Sequence, residues 1–399
     1  MDDQPKSVKD LLVEAKDASE LMVDLAYAAV FFDDEKLAQE VERLEERMNG
    51  HLRRLREVAM LAARSPEDAE AMAGVLWIAD AVEKIGDAAS DIARVVEARL
   101  GIPDALRRDL RHADEMTARV KVGATASVIG RELRELSLPT ETGMWVMAIR
   151  SGTSWEFDPG PDDVPAAGDV LVVRGPEDGV NALRELAGAP PIPPGPDDDP
   201  PALSELDRAV DILVELKDLS EAAVGLAYSS ILFNDRALAA EVGALEARSD
   251  RLEDELESWV LRAAPEARHV DELRGLIRLG AASEAISDAA RDMTWYVEHG
   301  EPLHPVVQMA LEETEETSAE TIVMPGSAAE GRSLKDLRME TETGMFVLGI
   351  QRGARWIYRP RATFELRAGD RLVSVGPEDG EDELIELCGD QPPPLDDDD

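Results

Sequence analysis

One long segment of this chain is written twice. The stretch Asp169–Gly179 returns as Asp370–Gly380 with eight of its eleven residues unchanged, an offset of 201 residues. The same offset aligns nearly all of the first half with the second without a gap, for example Val13–Glu20 with Val214–Glu221. A period this long excludes a solenoid, whose repeats have about 20 to 50 residues. The sequence therefore predicts a duplicated pair of domains.

The first part of each copy has the periodicity of long helices. In residues 8–32 the apolar side chains recur at steps of four and three, and 37–62 repeat the pattern. Ser65 is a good N-cap, and Pro66 suits the first position of a third helix that runs to about Leu100. Three long helices joined by short turns predict a bundle.

The second part of each copy changes to short strands and short helices. In copy one, Val120 and Val122, 145–149 and 170–173 predict strands, whereas 130–136 and 177–186 predict helices. The fold class is therefore α+β multidomain, with two helical bundles and two small α+β domains. The predicted bounds are 1–108 and 205–309 for the bundles, 109–189 and 310–390 for the α+β domains, 190–204 for a linker rich in Pro and Asp, and 391–399 for a disordered acidic tail.

Charge and composition limit the surroundings of the protein. The net charge is −43, and only eight of the 42 basic residues are Lys. Such a surface suits a salt-rich, halophilic cytoplasm and argues against nucleic-acid binding, which needs cationic side chains at the phosphates. The longest apolar run, Met22–Phe32, is too short to span a bilayer, and the N-terminus has no signal-peptide pattern. We expect a cytoplasmic protein.

The third helix of each bundle carries a stripe of carboxylates. At about 100° per residue, Asp80, Glu83 and Asp87 share one side, and Ile78 and Ile85 lie on the other. Oxygen ligands four residues apart suit a hard or borderline cation, and the alternative is a solvated acidic face. The candidate metal ligands are Asp80, Glu83, Asp87, Glu284 and Asp288.

The same helix resembles a known family. The segment 83–93 has an acidic residue, Asp87 four positions later and then a run of small residues, and it resembles the signature of PhoU-type phosphate-signalling proteins. By that resemblance, Glu83 and Asp87, with Glu284 and Asp288, correspond to ligands of surface metal ions, divalent or iron.

The α+β part carries an ordered set of motifs in each copy. In copy one they are Gly130-x-x-Leu133, a Thr-Gly before a strand that ends near Ile149, and Gly168-Asp169 before a strand, and all recur in copy two. The set resembles the TrkA-C or RCK C-terminal domain of potassium channels and transporters. The resemblance implies that these domains pair as dimers and bind small ligands, cyclic di-AMP among them, at the seam of the pair.

The strand ends offer candidate ligand-binding residues. Arginine side chains can bind phosphate in a bidentate way, and tryptophan rings can stack on a base. The alternative is that the arginines pair with nearby carboxylates and the tryptophans pack in a core or an interface. The candidates are Ile149, Arg150, Trp155, Ile350, Arg352, Arg355 and Trp356.

The function predicted from these features is regulation of membrane potassium or other cation transport. The protein would sense a small ligand at paired TrkA-C-like domains and contact a membrane channel or transporter. The alternative is a metal-binding, PhoU-like regulator of phosphate uptake. We expect an intrachain pseudo-dimer, with a homodimer of the whole chain left open. The sequence has neither a dinucleotide-binding nor a Walker motif and no catalytic constellation, so we expect no enzyme.

Overall fold

The computed structural model describes residues 6–109, 116–191, 204–266 and 269–389. They form two compact units, each of which draws on both copies of the repeat. One unit holds the long helices and the other holds most of the α+β modules. Most of the predicted linker 190–204 and the whole predicted tail 391–399 lie outside the described residues.

The helical unit contains two three-helix bundles, as predicted. Ser65 caps the third helix of copy one by accepting from the Asp68 N–H, and Asp34 caps the second helix by accepting from the Lys36 N–H. Ser7 and Asp10 form a reciprocal capping box at the start of the first helix. The helices of copy one are α1 (Val8–Phe32), α2 (Glu35–Ala62), α3 (Pro66–Glu97) and the short α4 (Asp104–Asp109). Their counterparts in copy two, in the same order, are α8 (Glu205–Leu232), α9 (Arg236–Ala263), α10 (Val270–His299) and α11 (Val306–Leu311).

The two bundles pack on each other through reciprocal contacts. Helix α3 lies against α10, while α4 contacts α8 and α11 contacts α1. The buried Lys16 lies over the ring of Tyr228, and the buried Lys217 lies over the ring of Tyr27, at 5.6 and 5.2 Å. Each copy thus places a buried cation on an aromatic ring of the other copy.

The α+β unit contains two four-stranded sheets with the same strand order, β1-β4-β2-β3 and β5-β8-β6-β7. Strand β2 runs antiparallel to β4, and β6 runs antiparallel to both β7 and β8. The strands are β1 (Met116–Lys121), β2 (Trp145–Ser151), β3 (Ser154–Phe157), β4 (Val170–Gly175), β5 (Thr317–Ile322), β6 (Phe346–Arg352), β7 (Arg355–Tyr358) and β8 (Arg371–Gly376). The helices are α5 (Leu133–Leu136), α6 (Leu138–Thr142), α7 (Glu177–Leu186), α12 (Leu334–Leu337), α13 (Met339–Thr343) and α14 (Glu378–Cys388).

Two short helices connect the copies in this unit. Helix α6 packs against α13, and each ends at a glycine in the left-handed region, Gly143 at φ +70° and Gly344 at φ +71°. A Cβ on Gly143 would lie 2.7 Å from the carbonyl oxygen of Glu340, and a Cβ on Gly344 would lie 2.6 Å from that of Pro139. The glycines therefore permit a backbone approach between the copies that a side chain would prevent.

Candidate functional site

An acidic cluster lies between α9 and α10 of copy two. One carboxylate oxygen from each of Glu246, Asp250 and Asp288 lies within 4.8 Å of the other two. Glu284 precedes Asp288 by one turn of α10, and partial burial, together with the charge of Asp288, raises the pKa of Glu284 to about 7. Burial and neighbouring carboxylates also raise the pKa of Glu253. Oxygen atoms placed this closely suit a divalent cation.

On the equivalent helices of copy one, an arginine pairs with part of the carboxylate stripe. Arg56 on α2 donates from Nη2 to Oδ1 of Asp80 at 2.6 Å and also to Oε2 of Glu83. In copy two the position of Arg56 is taken by Glu257, and that of Asp80 by Ala281. The candidates Asp80 and Glu83 therefore share one guanidinium, which offsets one of their two negative charges.

Asp87 lies one turn beyond Glu83, outside this ion pair. Partial burial and the nearby Glu45 raise the pKa of the Asp87 carboxyl, and Arg94 lowers it. Asp87 thus has an acidic neighbour on α2, as its copy-two equivalent Asp288 has on α9. The surroundings of Glu83 and Glu284 differ more, because Glu83 pairs with Arg56.

The two carboxylates that α9 contributes to the cluster, Glu246 and Asp250, were not among the residues predicted from the sequence. The family signature lies on α10 alone and says nothing of the facing helix. A signal was nevertheless present in the repeat. At the offset of 201, Asn49 becomes Asp250, and three of the five α2 arginines of copy one become carboxylates in α9. These are Arg53, Arg54 and Arg56, which become Asp254, Glu255 and Glu257.

In the α+β unit, two of the candidate ligand residues are core residues. Ile149 pairs in register with Leu171 and is buried, and Ile350 pairs with Leu372 and is completely buried. Ile350 belongs to the apolar core of its own domain, together with Leu384 of α14. These two side chains could therefore support a ligand site only indirectly, by packing beneath the sheet.

In each copy, a buried aspartate just before the last strand accepts hydrogen bonds from the residue at the end of the second strand. In copy one, Ser151 donates from Oγ to Oδ1 of Asp169 at 2.7 Å. In copy two, Arg352 takes the place of Ser151 and donates from Nε and Nη2 to the two oxygens of Asp370, at 2.7 and 2.6 Å. Asp370 is only 1% exposed, so Arg352 compensates a buried charge.

The remaining candidates lie on or beside the β-hairpins. Arg150 is half-buried opposite Val170, and Arg355 is exposed opposite Arg352 at the end of the hairpin. Trp155 stacks on Phe157 at 5.3 Å. Trp356 lies parallel to Tyr358 at 6.4 Å and has the guanidinium of Arg371 at 5.9 Å. Each tryptophan is half-buried and lies parallel to an aromatic ring of its own strand.

A cleft of about 570 Å³ opens in copy two beside strand β7 and the loop that follows it. Its lining includes four arginines and a single carboxylate, Glu365, with Tyr358 and Phe364 as aromatic walls. Only Arg352 among these arginines was a candidate from the sequence. The other three are Arg359, Arg361 and Arg367.

Comparison with protein families assigns both kinds of module. The PhoU domain family matches residues 12–96 and 213–296, and the TrkA-C domain family matches residues 117–188 and 319–389. This chain is a duplicated PhoU and TrkA-C domain protein. Both resemblances drawn from the sequence are confirmed, as is the α+β fold class with its repeated architecture.

Solved structures similar to the chain include proteins of both kinds. The crystal structure of PhoU from Pseudomonas aeruginosa has 17% identity and a TM-score of 0.41, with 73% of this chain and 96% of that chain covered. The RCK domain of GsuK has 15% identity and a TM-score of 0.18, covering 75% and 72%. The GsuK channel bound to NAD has 14% identity and a TM-score of 0.19, covering 80% and 65%.

The PhoU domain of copy two thus carries the acidic cluster, and the TrkA-C domain of copy two carries the arginine cleft. Each site differs from its counterpart in the other copy by exchanges that change charge. Among the described residues, no helix is both long and apolar enough to cross a membrane.

Proposed function

We propose that this protein regulates membrane potassium transport from the cytoplasm, as a peripheral partner of a channel or transporter. The observation that carries the proposal is the packing of α6 against α13, which joins two TrkA-C domains of one chain. In the family this domain belongs to regulators of potassium transport, and here two of them are held as an intrachain pair. Because a fold alone does not fix a function, the proposal depends on the test below.

The mechanism we propose is a change in the arrangement of the two TrkA-C domains. A small ligand such as cyclic di-AMP would bind the pair more tightly in one arrangement than in the other and shift the population accordingly. The glycine-ended contact between α6 and α13 supports this mechanism, because a close backbone contact without intervening side chains is sensitive to small displacements.

Removal of the gene from its host, followed by measurement of ion uptake, tests the proposed function. We expect the rate of potassium uptake to change and the rate of phosphate uptake to stay the same, and a plasmid copy should restore the original rate. A strain with unchanged potassium uptake and altered phosphate uptake would contradict the proposal and favour the PhoU-based alternative.

The identity of the ligand is tested separately. Cyclic di-AMP is titrated into the purified full chain in concentrated KCl, with calorimetry and thermal unfolding as the two readouts. We expect heat of binding and a raised unfolding temperature, because a ligand that binds only the folded state stabilises it. No heat and no thermal shift would remove cyclic di-AMP as the ligand.

A second candidate function, metal-dependent phosphate signalling, is favoured by one specific observation. The acidic cluster of Glu246, Asp250 and Asp288 is accompanied by a Glu284 whose pKa is raised to about 7, so the site lacks enough positive charge. A divalent cation would supply it. The Arg291 guanidinium lies 3.4 Å from Glu246 and offsets only part of the charge.

Metal analysis of the purified protein, with a matched pair of variants, tests this candidate. We expect a divalent metal in the wild type that is lost in Asp250→Asn/Asp288→Asn, because those changes remove two ligand oxygens. Glu83→Gln/Asp87→Asn should keep it, because both residues belong to copy one and neither contributes an oxygen to the acidic cluster. Equal metal content in all three proteins, or none in the wild type, would exclude metal binding at the acidic cluster.

A further inference from the structure

The arginine cleft has the opposite charge from its counterpart in copy one. Its lining in copy two holds four arginines and one glutamate. At the offset of 201, the same positions in copy one hold no basic residue. They hold four carboxylates instead, on Glu156, Asp158, Asp162 and Asp163. In a chain with a net charge of −43, a local cluster of positive charge is an exception that the surrounding composition does not explain.

The four arginines have different structural duties. Arg352 is occupied by the buried Asp370, and Arg359 lies over the ring of Phe346 at 4.9 Å. Arg361 and Arg367 are exposed, and their side chains form no ion pair with any residue in the described part of the chain. Two guanidinium groups therefore remain available to an incoming anion at the cleft.

Hydrogen bonds and packing hold the loop backbone at these two arginines. The backbone N–H of Arg367 donates to Oδ2 of Asp370 at 2.8 Å, and the carbonyl oxygen of Arg361 accepts from the Phe364 N–H at 2.7 Å. Leu366, one residue before Arg367, is completely buried in the core of the domain. The loop is thus anchored at both ends, which lowers the entropy cost of presenting the arginines to a ligand.

We propose that this cleft binds a phosphate-bearing small molecule, one per chain and in copy two only. Guanidinium groups match phosphate oxygens in a bidentate manner, and Tyr358 beside them provides an apolar wall for the organic part. The volume of about 570 Å³ lies in the range of small-molecule sites. The proposal rests on the ligand-sensing role proposed above, and it names the chemical class of the ligand and the copy that binds it.

Copy one supplies the substitutions that test the cleft without disturbing the fold. Arg361→Gly and Arg367→Ala give copy two the residues that copy one carries at these positions, Gly160 and Ala166. Arg352 is left in place because Asp370 needs it. The matched control is Arg53→Ala/Arg54→Ala on α2, which removes the same two charges from an exposed face of the helical unit.

The experiment is isothermal titration calorimetry on the full chain with inorganic pyrophosphate, adenosine monophosphate and adenosine, at several KCl concentrations. We expect pyrophosphate and adenosine monophosphate to bind at one site per chain, more weakly as salt rises, and adenosine to give no heat. Arg361→Gly/Arg367→Ala should weaken binding by about tenfold or more, because it removes the two guanidinium groups that donate charge-assisted hydrogen bonds to the phosphate. The α2 control should bind like the wild type.

Several results would overturn the proposal. They are no heat from either phosphate compound at the lowest salt, two sites per chain, heat from adenosine alone, or equal weakening by the cleft variant and the α2 control. Because the readout is binding to the purified protein, these results leave the uptake experiment untouched. If the cleft did not bind anions, a change in potassium uptake on loss of the gene would still support the proposed function.

Discussion

The pair Ser151 and Arg352 shows how one exchange alters the energetic role of a residue. Both side chains donate to a buried aspartate, but only the arginine carries a charge that offsets it. We expect Arg352→Ala to lower the free energy of unfolding by about 2 kcal/mol, because it leaves the Asp370 carboxylate buried without its cation. Ser151→Ala should cost about 1 kcal/mol, the value of one neutral donor. Urea unfolding of both variants measures the difference.

Arg352→Ser provides the control, because it installs the copy-one residue. It should retain more stability than Arg352→Ala, since a hydroxyl can still donate to Asp370 as Ser151 does to Asp169. Equal losses for Arg352→Ala and Ser151→Ala would show that the buried aspartate does not need the guanidinium.

The Glu284 carboxyl gives the acidic cluster a pH dependence. Its pKa in the folded protein is about 7, above the ordinary value of 4.5. Between these values the folded state binds more protons than the unfolded state, so this group makes stability fall as pH rises through that window. We expect Glu284→Gln to match the wild type near about pH 4.5 and to exceed it by about 1 kcal/mol at about pH 8, after allowance for solvent screening.

Urea unfolding followed by far-UV circular dichroism, without divalent metal, measures this difference at both pH values. The matched control is Glu83→Gln in copy one, which should not gain stability at the higher pH because Glu83 accepts from Arg56. An advantage for Glu284→Gln that is the same at both pH values would contradict the account of the cluster.

At the scale of elements, the contact between α6 and α13 depends on its two glycines. We expect Gly143→Ala to destabilise the α+β unit by more than about 2 kcal/mol, because its Cβ would lie 2.7 Å from the Glu340 oxygen and φ is +70°. Gly353→Ala is the control, with φ +64° and nothing within 4 Å of the added Cβ. It should lose only about 1 kcal/mol, the conformational cost alone. Thermal unfolding of the two variants compares them, and equal losses would show that the approach of the copies is loose.

The long helices could be predicted almost to the residue, whereas the short helices that join the copies could not. Apolar steps of four and three extend over many turns in α1 and α2, and Ser65 with Pro66 marks the start of α3. Helix α6 has five residues, too few for any periodicity, and its sequence contains a proline. The sequence therefore predicts a turn there, and only the packing against α13 explains the helix.

The candidate sites were predictable only in part, for a similar reason. Glu284 and Asp288 lie on one helix and share a readable spacing, but their partners Glu246 and Asp250 come from another helix. Arg352 could be chosen from the sequence as an anion ligand, yet its contact with Asp370 depends on the pairing of β6 with β8. Contacts between elements are set by tertiary packing, which a single-sequence pattern does not contain.

At the scale of the whole molecule, the two copies share a fold but have diverged in charge. The copy-two PhoU domain has carboxylates on α9 where copy one has arginines on α2, and the copy-two TrkA-C domain has arginines in its cleft where copy one has no basic residue. Duplication within one chain allows such divergence, because a substitution in one copy leaves the other copy unchanged. In a homodimer, by contrast, every substitution appears in both subunits. We therefore expect metal and anion binding to map to copy two.

The central claim is that the two copies associate within one chain in both units. A specific protease site inserted in the linker within residues 192–203 tests it, with size-exclusion chromatography before and after cleavage of the full chain. We predict that the cleaved halves elute together at the volume of the uncut protein, because α3 with α10, and α6 with α13, hold the copies together. Two separate peaks of half-length chains would contradict the account.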